Sequence, residues 1–86
     1  MILWDEAKNN KLKRERGVSF ETVEQMILDR KITDIIDTPS GNHPGQESFV
    51  IKIQDQYYYV PFKIVDRDII LITIIPTRKL RRRYEK

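Results

Sequence analysis

Residues 69–86 read IILITIIPTRKLRRRYEK, so an apolar run stops at Pro76 and a basic segment begins at once. The run 69–75 is apolar on both faces apart from Thr73. Strands that are buried on both faces have this near-continuous apolar character. We therefore predict that 69–75 is a central strand of a sheet.

The basic segment, residues 77–86, is predicted to form a short helix just beyond that strand. Within it Leu80 and Tyr84 are four residues apart, so they lie on one face of a helix. A helix of about ten residues is marginal in water by itself. We therefore expect Leu80 and Tyr84 to dock it on the sheet.

Three upstream segments supply partners for the last strand. Residues 47–54 alternate apolar and polar side chains, and residues 57–65 and 32–37 are also rich in strand-forming residues. Short polar turns separate the last three strands, which favours an antiparallel meander of three or four strands. Pro61 lacks a donor N–H, which predicts an edge position or a bulge at that point.

Two helices are predicted before the sheet. Asp5 is a suitable N-cap for a helix over 6–16, and Gly17 is a natural stop. Ser19 can cap a second helix. Residues 1–4 are apolar, which favours either an additional edge strand or an anchor into the core. The fold class is therefore α+β: two N-terminal helices, an antiparallel sheet and a short C-terminal basic helix.

The composition limits the kind of protein. With 86 residues the chain is predicted to be one small domain, residues 1–86, of marginal stability. There is no cysteine, which excludes cysteine proteases, zinc ribbons and iron–sulfur proteins. The longest apolar run is far shorter than the ~20 residues of a membrane span. The N-terminus has no basic region typical of a signal peptide, so we expect a cytoplasmic protein.

The positive charge is concentrated at the C-terminus. The net charge of the chain is +3, but residues 77–86 carry +5 and the other 76 residues carry −2. Arginine binds two phosphate oxygens at once and stays charged. We expect Arg81, Arg82 and Arg83 to contribute phosphate contacts, as in RNA binding; the alternative is a solvated tail.

A second candidate surface lies on the strand 57–65. Tyr59 and Lys63 share one face of this strand with Tyr57, and Arg67 follows in the next turn. Aromatic side chains beside basic residues can stack on nucleic-acid bases. Ordinary cross-strand packing of the tyrosines is the alternative.

Neither a metal site nor a cofactor is predicted. There is one histidine, His43, in a loop rich in proline and glycine, where it is either a general base or a solvated residue. Cleavage of RNA needs neither a metal nor a histidine, because the 2′-OH of the substrate is the nucleophile. Arg and Lys can stabilise the charged phosphorane, and a carboxylate or Tyr can transfer the proton.

Several short motifs follow one another along nearly the whole chain. The most specific pieces are Trp-Asp-Glu-Ala-Lys-Asn at 4–9 and Gly-Val-Ser-Phe-Glu at 17–21. Further pieces are Glu47 before the strand, Ile-Ile-Pro-Thr-Arg-Lys at 74–79, and Tyr-Glu at 84–85. In this order the motifs resemble the BrnT family, the small toxins of bacterial type II toxin–antitoxin pairs.

This resemblance implies a RelE-like ribonuclease fold, with helices packed on a twisted antiparallel sheet. It implies an RNA-cleaving toxin that inhibits translation, and a cognate antitoxin as partner in a hetero-oligomer. Carried over by position, the implied catalytic residues are Arg78, Lys79, Glu47 and Tyr84.

The chain also departs from the family pattern. Glu15-Arg16 stand where the family usually has Lys-His, and Ser48 stands where an Arg usually follows the strand glutamate. The last strand carries no arginine. These departures leave a second interpretation open, in which the chain is a non-catalytic module that binds nucleic acid or an antitoxin.

Overall fold

A computed structural model of the chain describes residues 1–39 and 45–85. The helices are α1 (Glu6–Arg16), α2 (Phe20–Leu28) and α3 (Arg81–Tyr84). The strands are β1 (Ile2–Leu3), β2 (Asp34–Asp37), β3 (Glu47–Ile53), β4 (Gln56–Val65), β5 (Asp68–Leu71) and β6 (Ile75–Pro76). The predicted α+β class and the order of its elements are confirmed. His43 lies outside the described residues.

The sheet has the strand order β1-β5-β4-β3-β2, and β6 pairs with β4 beyond the end of β5. The predicted meander of β3, β4 and β5 is antiparallel. The predicted N-terminal strand is present, but β1 runs parallel to β5, so the sheet is mixed and has more strands than predicted. β4 lies in the middle of the sheet. β5 lies between β1 and β4, so the first part of the predicted last strand is internal as expected, whereas β6 pairs with β4.

The last strand is interrupted by a bulge opposite Pro61. Phe62 lies opposite Leu71 and Tyr59 lies opposite Ile75, so two residues of β4 face three residues between β5 and β6. One extra residue on one strand is a β-bulge. The carbonyl of Pro61 accepts a hydrogen bond from the Ile72 N–H at 2.9 Å, and proline has no N–H to return. Of the two positions predicted for Pro61, an edge or a bulge, the structure therefore confirms the bulge.

The two faces of the sheet differ. The face that α1 and α2 cover, here called the helix face, carries the hydrophobic core. Because of the bulge, Leu71 and Ile74 both reach this core although they are three residues apart. The core residues are Leu12, Val18, Phe20, Val23, Phe49, Ile51, Val60, Phe62, Leu71 and Ile74. The opposite face, here called the open face, carries the C-terminal residues.

The buried side chain of Asn9 joins α1 to the start of α2. Its Oδ1 accepts the Phe20 N–H at 2.8 Å, and its Nδ2 donates to Glu21 at 2.7 Å and to Glu6 at 3.3 Å. Asn9 itself is fully buried. The two most specific motif segments of the sequence therefore meet in one hydrogen-bonded cluster.

The helix caps follow the predictions. The Asp5 carboxylate accepts the Ala7 N–H at 2.9 Å, and α1 ends at Gly17, whose φ of 67° lies in the left-handed region. Ser19 accepts the Thr22 N–H at 3.2 Å and so caps α2.

The C-terminal helix is shorter than predicted: α3 is a single turn, not a helix over 77–86. The Thr77 N–H still bonds to the Tyr57 carbonyl at 3.0 Å, so the chain continues the sheet pairing beyond β6 before it turns. Starting a helix fixes several residues for one hydrogen bond, so a short segment with competing sheet contacts stays mostly non-helical. Across residues 1–39 and 45–85, none of the helices has the length and apolar character to span a membrane.

Candidate nucleic-acid interface

The C-terminal residues 77–85, here called the C-terminal arm, lie on the open face of the sheet. The ring of Tyr84 stacks on Tyr57 with centroids 5.7 Å apart. Its hydroxyl donates a hydrogen bond to Oδ2 of Asp34 at 2.8 Å. The arm is therefore fixed to β4 through an aromatic pair and to the edge strand β2 through a charged hydrogen bond.

Ion pairs hold the end of the arm. Lys52 lies 2.8 Å from Glu85. Arg81 donates to the carbonyl of Asp55 at 2.8 Å and pairs with its carboxylate at 3.2 Å, and it also lies 3.4 Å from Glu85. Arg81, which the sequence suggested as an RNA contact, therefore already binds the turn between β3 and β4.

These contacts shift the pKa values of the Tyr84–Asp34 pair in opposite directions. Burial, and then the hydrogen bond to Asp34, raise the pKa of Tyr84. The hydrogen bond from Tyr84, followed by that from the Ile35 N–H, lowers the pKa of Asp34. Tyr84 is therefore a neutral donor and Asp34 an ionised acceptor at neutral pH.

The neighbouring cluster behaves in the same way. The hydrogen bond from Lys52 lowers the pKa of Glu85 and raises that of Lys52. Burial raises the pKa of Tyr57. The pKa of each of these groups moves away from 7. The cluster is therefore a set of fixed charges and dipoles, not a pair of groups that exchanges protons near pH 7.

A groove of about 440 Å³ opens beside the start of the arm. Tyr59, Arg78 and Lys79 line it together with Pro39, Pro76 and Thr77. Both Arg78 and Lys79 are exposed. The structure therefore brings together two of the residues expected to be catalytic and the tyrosine expected to bind RNA.

Other residues singled out in the sequence lie elsewhere. Strand alternation places Glu47 on the same face as Phe49, which is a core residue of the helix face. Lys63 shares the open face with Tyr59 but lies four residues along β4, about 13 Å away. Arg67 follows the far end of β4. The role of Glu47 remains a prediction, but its position separates it from the groove.

The remaining arginines of the arm are exposed. The guanidinium carbon of Arg83 lies 5.8 Å from the centroid of the Tyr84 ring, within the range of a cation–π contact. Arg82 is exposed on the same single turn. Both positions remain available for phosphate contacts.

Sequence reasoning missed several residues that shape this surface. Asp34 and Lys52 hold the arm but carry no motif of their own. Arg16 donates a hydrogen bond to the Ile74 carbonyl in the bulge, from the end of α1. Alternation along 32–37 could have placed Asp34 on one face, but its pairing with Tyr84 spans fifty residues and follows only from the fold.

Within the part of the chain that the structure describes, no cluster of three or more His, Asp or Glu side chains could hold a metal ion. His43, the candidate general base of the sequence, cannot be placed relative to the groove because it is outside that part.

Comparison with known proteins identifies the family. No curated protein and no solved structure matches the chain. A family model described as the ribonuclease toxin BrnT of type II toxin–antitoxin systems matches residues 4–83 of the 86. This span includes the Asn9 cluster, strands β2 to β6 and residues 77–83 of the arm. Membership implies ribonuclease activity and an antitoxin protein as partner. The chain belongs to the BrnT family of type II toxin–antitoxin ribonuclease toxins.

Proposed function

We propose that the chain is an endoribonuclease that cleaves mRNA without a metal ion and so inhibits translation. The observation that carries this proposal is the groove in which Tyr59, Arg78 and Lys79 meet on the open face, in a chain of a ribonuclease toxin family. An aromatic ring beside two exposed cations suits single-stranded RNA, whose bases stack and whose phosphates are anionic.

In the proposed reaction the 2′-OH of one nucleotide loses its proton to hydroxide or water, and its oxygen attacks the adjacent phosphorus. The bond to the 5′-oxygen of the next nucleotide breaks, and that oxygen takes up a proton from water. The products are a 2′,3′-cyclic phosphate and a 5′-hydroxyl. Arg78 and Lys79 stabilise the additional negative charge on the phosphorane oxygens. Their charges are also suited to holding the phosphate in place before the attack.

The tyrosine of the arm has a supporting role in this proposal. Tyr84 donates its proton to a hydrogen bond with Asp34, and its raised pKa keeps it neutral. A neutral hydroxyl is a poor base at pH 7, and its single proton is already donated to Asp34. We therefore assign Tyr84 to stabilising the arm that carries the groove residues, and Arg78 and Lys79 to stabilising the negative charge of the phosphorane.

The pKa shifts predict the pH dependence of cleavage. On the open face, none of the groups with a shifted pKa has that pKa moved toward 7. With these groups alone, cleavage should accelerate with pH from 6 to 9 as the 2′-OH of the substrate ionises more readily. A bell-shaped profile near pH 7 would instead require a group with a neutral pKa, for which His43→Ala is the direct test.

The experiment uses the purified chain with a defined mRNA in buffer containing a chelator. Cleavage products that end in a cyclic phosphate would support the proposal. Expression without the antitoxin should arrest growth and shorten transcripts, whereas intact transcripts with normal growth would contradict it. Glu47→Gln should have little effect if the groove is the site, and a loss of more than tenfold would move the site toward the other face of the sheet.

One observation favours a second candidate, a module that binds RNA without cleaving it. Two carboxylates on the open face already have partners: Asp34 accepts a hydrogen bond from Tyr84, and Glu85 forms an ion pair with Lys52. A site in which every such group has a partner can hold a phosphate without moving protons. Tight RNA binding with no products over hours would select this candidate.

The antitoxin partner is proposed to be an acidic chain that covers the open face. The arm and the groove carry the excess positive charge, and β2, to which the arm bonds through Tyr84 and Asp34, is an edge strand. An exposed strand edge is a template for pairing with another chain. Co-purification with the product of a neighbouring small reading frame, lost at high salt, would support this partner.

A further inference from the structure

A small pocket lies on the open face where the bulge interrupts the sheet. Its volume is about 190 Å³, below the range of drug-sized sites, so it can take a group no larger than a single ring system. Thr38, Gln46 and Thr73 contribute polar side chains, and Tyr59 forms one wall. Pro61, Ile72 and Ile75 complete the lining.

The bulge adds an unpaired backbone group to a pocket whose lining is mostly apolar. The N–H of Thr73, which lines the pocket between β5 and β6, donates to none of the backbone carbonyls of the described residues. The missing N–H of Pro61 leaves the facing strand without a donor at the same point. Unpaired backbone groups at the wall of a pocket are free to bond to a ligand.

Tyr59 belongs to both the pocket and the groove of Arg78 and Lys79. A ligand that reaches both sites therefore needs a flat part with a hydrogen-bonding edge on one side of the tyrosine and an anionic part on the other. A nucleotide within a single RNA strand has this arrangement. Proteins read single-stranded RNA by stacking a splayed base on an aromatic ring and bonding its edge.

We propose that the bulge pocket takes one unstacked base of the RNA and sets the sequence preference of the toxin, while the adjacent phosphate lies against Arg78 and Lys79. The inference rests on the proposed function in that it takes RNA as the ligand. Thr73 and Gln46 bond to the base edge, and Tyr59 stacks on its face.

The first experiment measures binding at the pocket without cleavage. The wild-type chain is titrated with each of the four nucleoside 3′-monophosphates, and with inorganic phosphate, by NMR. The amides of Thr73 and Ile74 and the ring of Tyr59 should shift with one or two of the nucleotides. Inorganic phosphate should shift only Arg78 and Lys79. An absence of shifts at the bulge with all four nucleotides would overturn the proposal.

The second experiment measures sequence preference with a pool of random RNA oligonucleotides. Preference is the ratio between the best and worst base at the position next to the cut. Thr73→Val and Gln46→Leu should each reduce this ratio about fivefold, the equivalent of one hydrogen bond. Thr33→Val, an exposed threonine outside the pocket, should leave it unchanged.

Two variants of Tyr59 test whether its ring stacks on the base. Tyr59→Ala should weaken nucleotide binding about tenfold, whereas Tyr59→Phe should retain it, because stacking needs only the ring. Amide spectra show whether each variant is folded.

The outcomes separate the inference from the proposed function. If the chain cleaves RNA with a preference that survives both pocket variants, the inference fails and the ribonuclease proposal stands. If the chain cleaves no RNA but nucleotides still shift the bulge, the pocket stands and the ribonuclease proposal fails.

Discussion

Replacing Asn9 with alanine tests whether the most specific motif of the sequence is structural. Asn9 is fully buried, and its Oδ1 is the acceptor for the Phe20 N–H. A hydrogen bond of this kind contributes about 0.5–1.5 kcal/mol net, and a buried donor without a partner costs about 1–3 kcal/mol. We therefore expect Asn9→Ala to lower the free energy of unfolding by about 2–3 kcal/mol.

For a domain of this size that change corresponds to a fall in Tm of about 10–20 °C. Urea unfolding followed by Trp4 emission measures the change in the free energy of unfolding. Trp4 is a suitable probe because its ring stacks on Phe20, with centroids 5.8 Å apart, and Phe20 is the residue that Asn9 binds. Asn10→Ala is the matched control: Asn10 is the exposed neighbour in α1, and its loss should change the free energy by less than about 0.5 kcal/mol.

A second measurement identifies the cause. The hydrogen bond from Asn9 is the largest contribution to the lowered pKa of Glu21, so Asn9→Ala should raise that pKa toward its ordinary value. A loss of stability below about 1 kcal/mol, or an unchanged pKa of Glu21, would refute this reasoning. Cleavage measured per folded molecule should be unchanged, because Asn9 lies on the helix side of the sheet.

Three further predictions concern the open face. Arg78→Ala should slow cleavage at least tenfold and Arg82→Ala less than about threefold, because only Arg78 lines the groove; equal losses in a cleavage assay would mean that both supply phosphate affinity alone. Replacing Arg78 and Lys79 together should reduce the slope of log affinity against log salt by about 1.4 in filter binding, and an unchanged slope would place the phosphates elsewhere. Because the pKa of Asp34 is lowered in the folded protein, its ionised form contributes stability above the unfolded pKa near 3.8, and this contribution is lost as pH falls through the folded value. Tyr84 resonances should report release of the arm there, and Tyr84→Phe should weaken this dependence, leaving the part that the Ile35 N–H supplies.

The two N-terminal helices could be predicted from the sequence because their signals are local. Asp5, Gly17 and Ser19 act within one turn of the residues they cap, so no tertiary contact has to be known. The strands were predicted from alternation, which also acts locally. The parallel pairing of β1 with β5 joins the two ends of the chain, and periodicity carries no information about such a pairing.

The candidate site was predicted in part for the same reason. Arg78 and Lys79 are neighbours in sequence and so remain neighbours in the groove, and the face of Tyr59 follows from alternation along β4. The pairing of Tyr84 with Asp34 depends on how the arm folds back over the sheet, which no local pattern specifies. Glu47 is two residues from Phe49 in the same strand, so alternation places it on the helix face. Its place in a family motif had instead suggested a catalytic residue.

The bulge between β5 and β6 has a consequence for how this strand tolerates changes in length. The extra residue shifts the alternation by one, so Leu71 and Ile74 point inward and Thr73 and Ile75 point the other way. Deleting one residue from 72–74 would restore regular pairing without lengthening any loop. It would also remove a wall of the bulge pocket and displace the carbonyl that Arg16 binds. A one-residue deletion here should therefore leave a foldable sheet without the bulge pocket, and from the role proposed for that pocket we expect the RNA sequence preference to be lost with it.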